Sequence, residues 1–228
     1  MKVNVIIPTY KPDDKFEKNL RMLRRQTLQP DRILIINTEE SLFHSKEFEK
    51  LPQGEIVHIR KEEFDHGGTR NRAAALCDGE IIVLLTQDAI PADEFLLENL
   101  TKPFADADVC AAYGRQMADW KDNPVEAYTR TFNYPKESRV KSEKDLPVLG
   151  IKTFFCSNVC AAYRKSVYDE LGGFPLHTIF NEDMIFASRL IEAGKKIAYA
   201  ADARVWHWHN YTGVEQLKRN FDLAVSQV

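Results

Sequence analysis

No stretch of the 228-residue chain is apolar for long enough to cross a bilayer, which takes about 20 residues. The start of the chain lacks a charged-then-apolar leader pattern, and Met1-Lys2-Val3-Asn4-Val5 passes directly into a strand. Cysteine is scarce: Cys77, Cys110, Cys156 and Cys160. Cys156 and Cys160 are close in sequence, but no second Cys/His pair at zinc-finger spacing accompanies them, so buried thiols in a reducing compartment are expected. Neither sign of charge dominates. The formal net charge of −3 argues against a dedicated nucleic-acid binder. Internal repeats, low-complexity tracts and clear linkers are also missing, so the expectation is one α/β domain over 1–228.

What the chain does have is organised around Ile81-Ile82-Val83-Leu84-Leu85, followed by Thr86-Gln87-Asp88-Ala89-Ile90-Pro91. Five consecutive apolar residues read as a strand buried on both faces, as in a parallel sheet. Ligands of open α/β sheets sit beyond the carboxyl ends of the strands, which is where Asp88 falls. Position alone also allows Asp88 to be a turn residue leading into a helix that starts near Asp93.

The remaining elements alternate. Residues 3–7 form a strand broken at Pro8-Thr9-Tyr10, 15–26 a helix with Phe16, Leu20 and Leu23 on one face, and 32–37 a second strand, together a βαβ unit. A weaker strand covers 55–59. Then comes Phe64-Asp65-His66-Gly67-Gly68-Thr69-Arg70-Asn71-Arg72, in front of the alanine-rich 73–76. Paired glycines permit close approach of a ligand to the backbone, and a helix N-terminus favours anions. Asp65 is the alternative, structural partner for Arg70. A helix is predicted over 93–102 and a strand over 109–113. Residues 120–147 read as a charged, proline-broken connection carrying a short helix near 125–132, placed as a flap over the site. Residues 149–155 and 159–163 look extended, 165–171 helical. Asn181 is the expected N-cap of a helix through 193, with Glu182 and Asp183 in its first turn. A short strand over 197–200 precedes Val205-Trp206-His207-Trp208-His209. The helix predicted from 214 runs to 228 without a stop signal, as if the natural protein continued.

In this order, the chain resembles the family 2 glycosyltransferases of the GT-A fold, and among them bacterial rhamnosyltransferases. The resemblance is carried by Val5-Ile6-Ile7-Pro8-Thr9-Tyr10, Gly67-Gly68-Thr69-Arg70-Asn71, Leu85-Thr86-Gln87-Asp88-Ala89, Gly172-Gly173-Phe174 and Glu182-Asp183. It implies a Rossmann-like, doubly wound mixed sheet, with a nucleotide-sugar half over 1–115 and an acceptor half over 116–228. Pro8, Thr9, Tyr10, Glu39, Arg70, Gln87 and Asp88 would contact the donor, although the family's usual carboxylate pair after the second strand reads Asn37-Thr38-Glu39-Glu40-Ser41 here. Asp88 matches the last carboxylate of the family's Asp-x-Asp motif, with Thr86 in place of the first. With His207 or His209 it would hold Mg²⁺ or Mn²⁺ against the diphosphate. Alternate residues of an extended segment share a side, so both histidines can face the site; the opposite arrangement packs Trp206 and Trp208 inward.

By the same resemblance Asp183 is the general base for an inverting transfer, with Glu182 and Trp120 toward the acceptor. Tyr128 and Tyr134 are candidate sugar platforms, although buried aromatics are commoner. Taken by themselves, Glu182 and Asp183 read first as favourable charge at a helix N-terminus. The implied donor is dTDP-rhamnose, with UDP- and GDP-sugars as alternatives. The acceptor is a glycan or lipid-linked glycan of cell-surface polysaccharide synthesis, handled in the cytoplasm at the inner membrane face. A sugar-phosphate nucleotidyltransferase would need a glycine-rich basic first turn, where this chain has Pro8-Thr9-Tyr10-Lys11-Pro12. A catalytically silent nucleotide- or glycan-binding family member is the other alternative.

Overall fold

The fold is built from alternation along its strands. In the computed structural model, which describes residues 1–121, 124–178, 180–209 and 211–225, strand β1 (Val3–Tyr10) sends Val3, Val5 and Ile7 to one side and Ile6 to the other. Helix α1 (Asp14–Leu23) covers the first side with Phe16, Leu20 and Leu23. Its N-terminus is fixed by Asp13, whose carboxylate accepts the N–H groups of Lys15 and Phe16. Strand β2 (Arg32–Thr38) repeats the division, Ile33 and Ile35 facing α1 and Leu34 and Ile36 facing away. Strand β3 (Gly54–Ile59) follows, then helix α2 (His66–Ala75), which lays Ala73 and Ala74 on the second side. Strand β4 (Ile81–Leu85) is buried throughout, as its composition requires. Each buried Val, Leu and Ile among these contributes about 1.5–3 kcal/mol by leaving water.

The rest of the chain adds strand β5 (Ile90–Pro91), helix α3 (Leu96–Thr101), strand β6 (Val109–Met117), helix α4 (Pro124–Asn133), strand β7 (Arg139–Lys141) and helix α5 (Leu146–Leu149). Strand β8 (Cys160–Arg164), helices α6 (Lys165–Glu170) and α7 (Glu182–Glu192), strand β9 (Lys196–Trp206) and helix α8 (Gly213–Val225) complete it. Among the described residues the strands form one mixed sheet in the order β3-β2-β1-β4-β8-β6-β9-β5, with β7 paired to β9. The run β3-β2-β1-β4 is parallel, and β8 enters antiparallel between β4 and β6. The four cysteines are free and buried.

Four expectations need correction. Residues 149–155 are not extended: α5 runs into a 3₁₀ turn over Gly150–Phe154. The Ser142–Asp145 capping box and Pro147 in the first turn start a helix there, and the Lys141 ammonium then gathers the carbonyls of Lys152 and Phe155. The last strand is far longer than 197–200, because an irregularity opposite Gly114 and Arg115 lets β9 resume its pairing with β6 as far as Trp206. The 120–147 connection holds α4 at the predicted place and also β7, too short to show a period. Helix α3 starts at Leu96 because Asp93 pairs with Arg204 at 2.6 Å and accepts the Phe95 N–H. Of the helix predicted to 228, the last three residues lie outside the described ones.

Candidate functional site

The carboxyl end of β4 and the end of β9 meet. Asp88 Oδ2 lies 3.5 Å from His207 Nε2 and 3.7 Å from His209 Nδ1, and the two Nε2 atoms are 3.1 Å apart. Of the two histidines, the sequence favours His207; in the structure both reach Asp88. His207 is buried and Trp206 exposed, the reverse of an inward tryptophan, while Trp208 is half-buried under the Lys15 ammonium. His207 Nδ1 is 2.9 Å from Gln116 Oε1, an arrangement that directs Nε2 toward Asp88. Burial, and next the Arg130 guanidinium 3.2 Å away, hold His207 well below the usual imidazole pKa, so the ring is neutral and its nitrogen free to ligate. Burial lowers His209 as well. One carboxylate and two imidazoles, with ligand atoms all within 4.8 Å of one another, fit a divalent cation of the oxygen- and nitrogen-binding kind. Thr86 Oγ1, where the family motif has its first carboxylate, is buried beside this group with no hydrogen-bond partner among the described residues.

A cavity of about 300 Å³ opens next to it, lined by Thr86, Gln116, His207 and the first turn of α7. There the Asp183 carboxylate accepts N–H groups from Asn158 and Met184, both at 2.9 Å. Two backbone donors favour the ionised form, yet burial, and next the charge of Glu182, outweigh them and push Asp183 up to about 7. Glu182 is buried, 3.4 Å from Arg70 Nη1 and 3.1 Å from Asn158 Nδ2. Asn181 occupies the N-cap position in a left-handed conformation (φ 65°) without a side-chain capping bond, contrary to expectation.

The glycine loop is organised differently from the expectation. Gly67 and Gly68 lie inside the first turn of α2, and the Gly68 N–H is already taken by Asp65 at 2.6 Å. A Cβ on Gly67 would come within 2.0 Å of the Pro175 carbonyl oxygen, so the close approach is to the chain before α7. Asp65 does not pair with Arg70; it caps α2 and accepts the His177 N–H, leaving Arg70 to Glu182.

Of the expected donor contacts, Pro8, Thr9, Tyr10 and Gln87 come together where β1 ends beside β2 and the turn after β4. Thr9 Oγ1 donates to Asn37 Oδ1, and the Gln87 amide bonds both backbone groups of Tyr10, locking β1 to the turn after β4. Pro8 is half-buried between them and Tyr10 exposed. Glu39 has φ 66°, accepts the Lys61 N–H, and lines a separate open cavity with His58 and Arg60. Trp120 is not brought to the Asp183 cavity; it is exposed beside a neighbouring hollow with Trp206. Tyr128 is exposed on α4, while Tyr134 is buried in the core and also lines the Asp183 cavity.

Sequence reasoning missed His66, Gln116, Arg130, Asn158 and Arg219, all in the cavity wall. Arg219 reaches it from α8, its guanidinium 5.3 Å from the Phe180 ring and 5.6 Å from Tyr211. Nothing local marks these residues, because each acts through partners on distant elements.

Comparison with known proteins agrees with this geometry. A model described as Glycosyl transferase family 2 matches residues 4–172. The chain is 43% identical over 229 residues to the O-antigen chain rhamnosyltransferase RfbN of Salmonella typhimurium, covering 99% of this chain and 72% of that one. It is also 43% identical to WbaN of Salmonella anatum, an O-antigen chain rhamnosyltransferase, covering 97% and 70%. Among solved structures, the mannosyltransferase PcManGT from Pyrobaculum calidifontis, in complex with GDP-Man and Mn²⁺, superposes with a TM-score of 0.73 at 19% identity. That match covers 99% of this chain and 62% of the other, so the chain spans less than two thirds of that structure. The mixed sheet is thus of the GT-A kind.

Proposed function

The chain belongs to glycosyl transferase family 2, and on that premise we propose that it is an inverting, metal-dependent glycosyltransferase. It moves a sugar, rhamnose from dTDP-rhamnose, to a hydroxyl of a glycan in cell-surface polysaccharide assembly. The observation that carries this reading is the convergence of Asp88, His207 and His209 beside the cavity that holds Asp183. The rhamnosyl assignment draws on the two Salmonella relatives.

Asp88, His207 and His209 would hold Mn²⁺ or Mg²⁺, whose charge would offset that of the leaving diphosphate. Asp183, steadied by the Asn158 and Met184 N–H groups, takes the proton of the acceptor hydroxyl. As that oxygen bonds to the anomeric carbon, the bond from carbon to the diphosphate oxygen breaks, and one displacement inverts the centre. Arg219 stands on the cavity wall as a cation for the departing phosphates. Residues 1–115 would supply the donor side, with Pro8, Thr9, Tyr10, Glu39 and Gln87 around the nucleoside. Residues 116–228 would supply the acceptor side. The setting we propose is the cytoplasmic face of the cell membrane; no described helix is long and apolar enough to cross it.

The test is thermal unfolding with dTDP, UDP and GDP, each with and without Mn²⁺ or Mg²⁺. Binding to the native state at a hundredfold excess over Kd stabilises by about 2.7 kcal/mol. A metal-dependent shift with dTDP that Asp88→Ala abolishes is expected. A shift with UDP or GDP instead changes the donor. Absence of any nucleotide shift would move the chain to the silent family members.

A further inference from the structure

Helix α1 packs on the sheet through Phe16, Leu20 and Leu23, yet two of its polar side chains are spent on the chain beside Asp88, His207 and His209. Asn19 is fully buried. Its amide nitrogen donates to the Thr86 carbonyl at 3.1 Å and the Gln87 carbonyl at 3.4 Å, the two residues directly before Asp88. Carbonyl oxygens can be met only by the NH₂ end of the amide, and its own oxygen has no partner among the described residues. A buried amide on an apolar helix face is costly, so its placement calls for a reason beyond packing.

Lys15 lies four residues earlier, on the same face of α1. It donates to the Trp208 carbonyl at 2.7 Å and sits 4.3 Å from the centre of the Trp208 ring. Trp208 is the residue between His207 and His209. Lys15 stands in the first turn of α1, where the helix dipole disfavours a cation and Asp14 and Glu17 supply the favoured charge.

The sheet leaves these segments in need of a brace. β8 and β6 separate β4 from β9, and the chain passes Asp88 on its way to β5, where Ile90 pairs with Trp206. That pairing fixes the turn after Asp88, and Asn19 fixes it before. β9 ends at Trp206, and the histidines follow it. The His207 N–H donates to the Met117 carbonyl and the His209 N–H to Glu126, and Lys15 takes the carbonyl between them.

We propose that Lys15 and Asn19 are positioning residues of the Asp88, His207 and His209 group, with α1 as the brace that sets the carboxylate against the imidazoles. Asn19 acts through the turn that carries Asp88, and Lys15 through the peptide between the histidines. The inference rests on the metal-dependent reading of that group.

The two arms carry different ligands, so each variant has its own signature. Mn²⁺ alone is titrated into the full chain by calorimetry. The bound ion is then read by pulsed electron paramagnetic resonance, in which a directly bound imidazole nitrogen modulates the echo, as wild type should show. Lys15→Met should bind Mn²⁺ about 10–100-fold more weakly and lose most of the nitrogen modulation, because the histidine segment is released while Asp88 stays. Lys15→Arg keeps a cation on the ring and a donor for the carbonyl, and should restore both. Asn19→Leu should weaken binding over the same range of about 10–100-fold but keep the nitrogen modulation, since Asp88 is displaced instead. Asn19→Ala takes its place where the leucine variant fails to fold.

A merely structural role would lower Tm and leave affinity and modulation of the folded variants at wild-type values, which overturns the proposal. Failure of Lys15→Arg to restore binding overturns the part given to Lys15. Loss of nitrogen modulation in the Asn19 variant overturns the division of labour between the arms. If wild type binds no Mn²⁺, the metal reading itself falls and this inference with it; wild-type binding in every variant removes the inference alone.

Discussion

The backbone N–H of Asn158 donates to Asp183 Oδ2 at 2.9 Å, so the turn before β8 holds the carboxylate at the head of α7. The Asn158 side chain meanwhile reaches Glu182 at 3.1 Å, and Glu182 meets Arg70 at 3.4 Å. The proposed base is thus placed from one side and charged against from the other.

That arrangement sets a pH dependence. With Asp183 raised to about 7, the ionised base accumulates as pH rises through that value, so kcat/KM should climb below it and level off above. Glu182→Gln removes the like charge and should move the midpoint downward; an unmoved midpoint in that variant would detach the profile from Asp183.

Asp183→Asn should lower transfer by roughly 10²–10⁴-fold while sparing donor binding. Its stability effect has a definite sign. A carboxyl whose pKa is raised on folding contributes stability that is full below its unfolded pKa and lost as pH rises through the folded one, here about 7. The variant should therefore gain in Tm relative to wild type between pH 4 and pH 7, read from parallel melting curves.

Gln116 does not belong to the Asp88 group but orients His207 at 2.9 Å. Gln116→Ala should weaken Mn²⁺ binding by about 10–100-fold, as loss of a residue that orients a metal ligand does. Titration calorimetry with Mn²⁺ alone measures this without activity, and wild-type affinity in the variant would show that His207 needs no such support.

Arg219 lies between two rings on the cavity wall. A hydrogen bond from such a charged group contributes about 1.5–3 kcal/mol, so Arg219→Met should cost dTDP binding roughly 10–100-fold. Thymidine, which lacks the diphosphate, should bind both proteins alike; equal losses for both ligands would assign Arg219 to the nucleoside.

Gly67→Ala should destabilise the protein by about 1–3 kcal/mol or more, because its Cβ would enter the Pro175 carbonyl at 2.0 Å. Gly68→Ala meets nothing nearer than the Asp65 carboxylate at 3.0 Å and should cost less. Urea midpoints for the two variants give the ranking directly.

Much of this was readable locally. The five apolar residues of β4 specify a doubly covered strand, and the alternation in β1 and β2 assigns faces to α1 and α2, because side-chain direction follows backbone period. Asp88 falls at a strand end for the same reason, and the motif order carried the family. The misreadings are equally physical. Residues 149–155 have a strand's composition, but the capping box and Pro147 begin a helix first. The glycine pair signalled close approach and was read as an approach to a ligand, whereas the group approached is Pro175, more than 100 residues away.

The sequence by itself determined most of the strands and helices, among them β1, β2, β4, α1 and α4, and which chemical groups stand at their ends, since both depend on neighbours along the chain. Only the tertiary structure decided that β8 slips between β4 and β6 and brings Asn158 to Asp183, that Gln116 on β6 finds His207, and that Arg70 pairs with Glu182 rather than Asp65. The partner of a polar side chain is set by which strands lie side by side, and strand order is a property of the whole packed sheet.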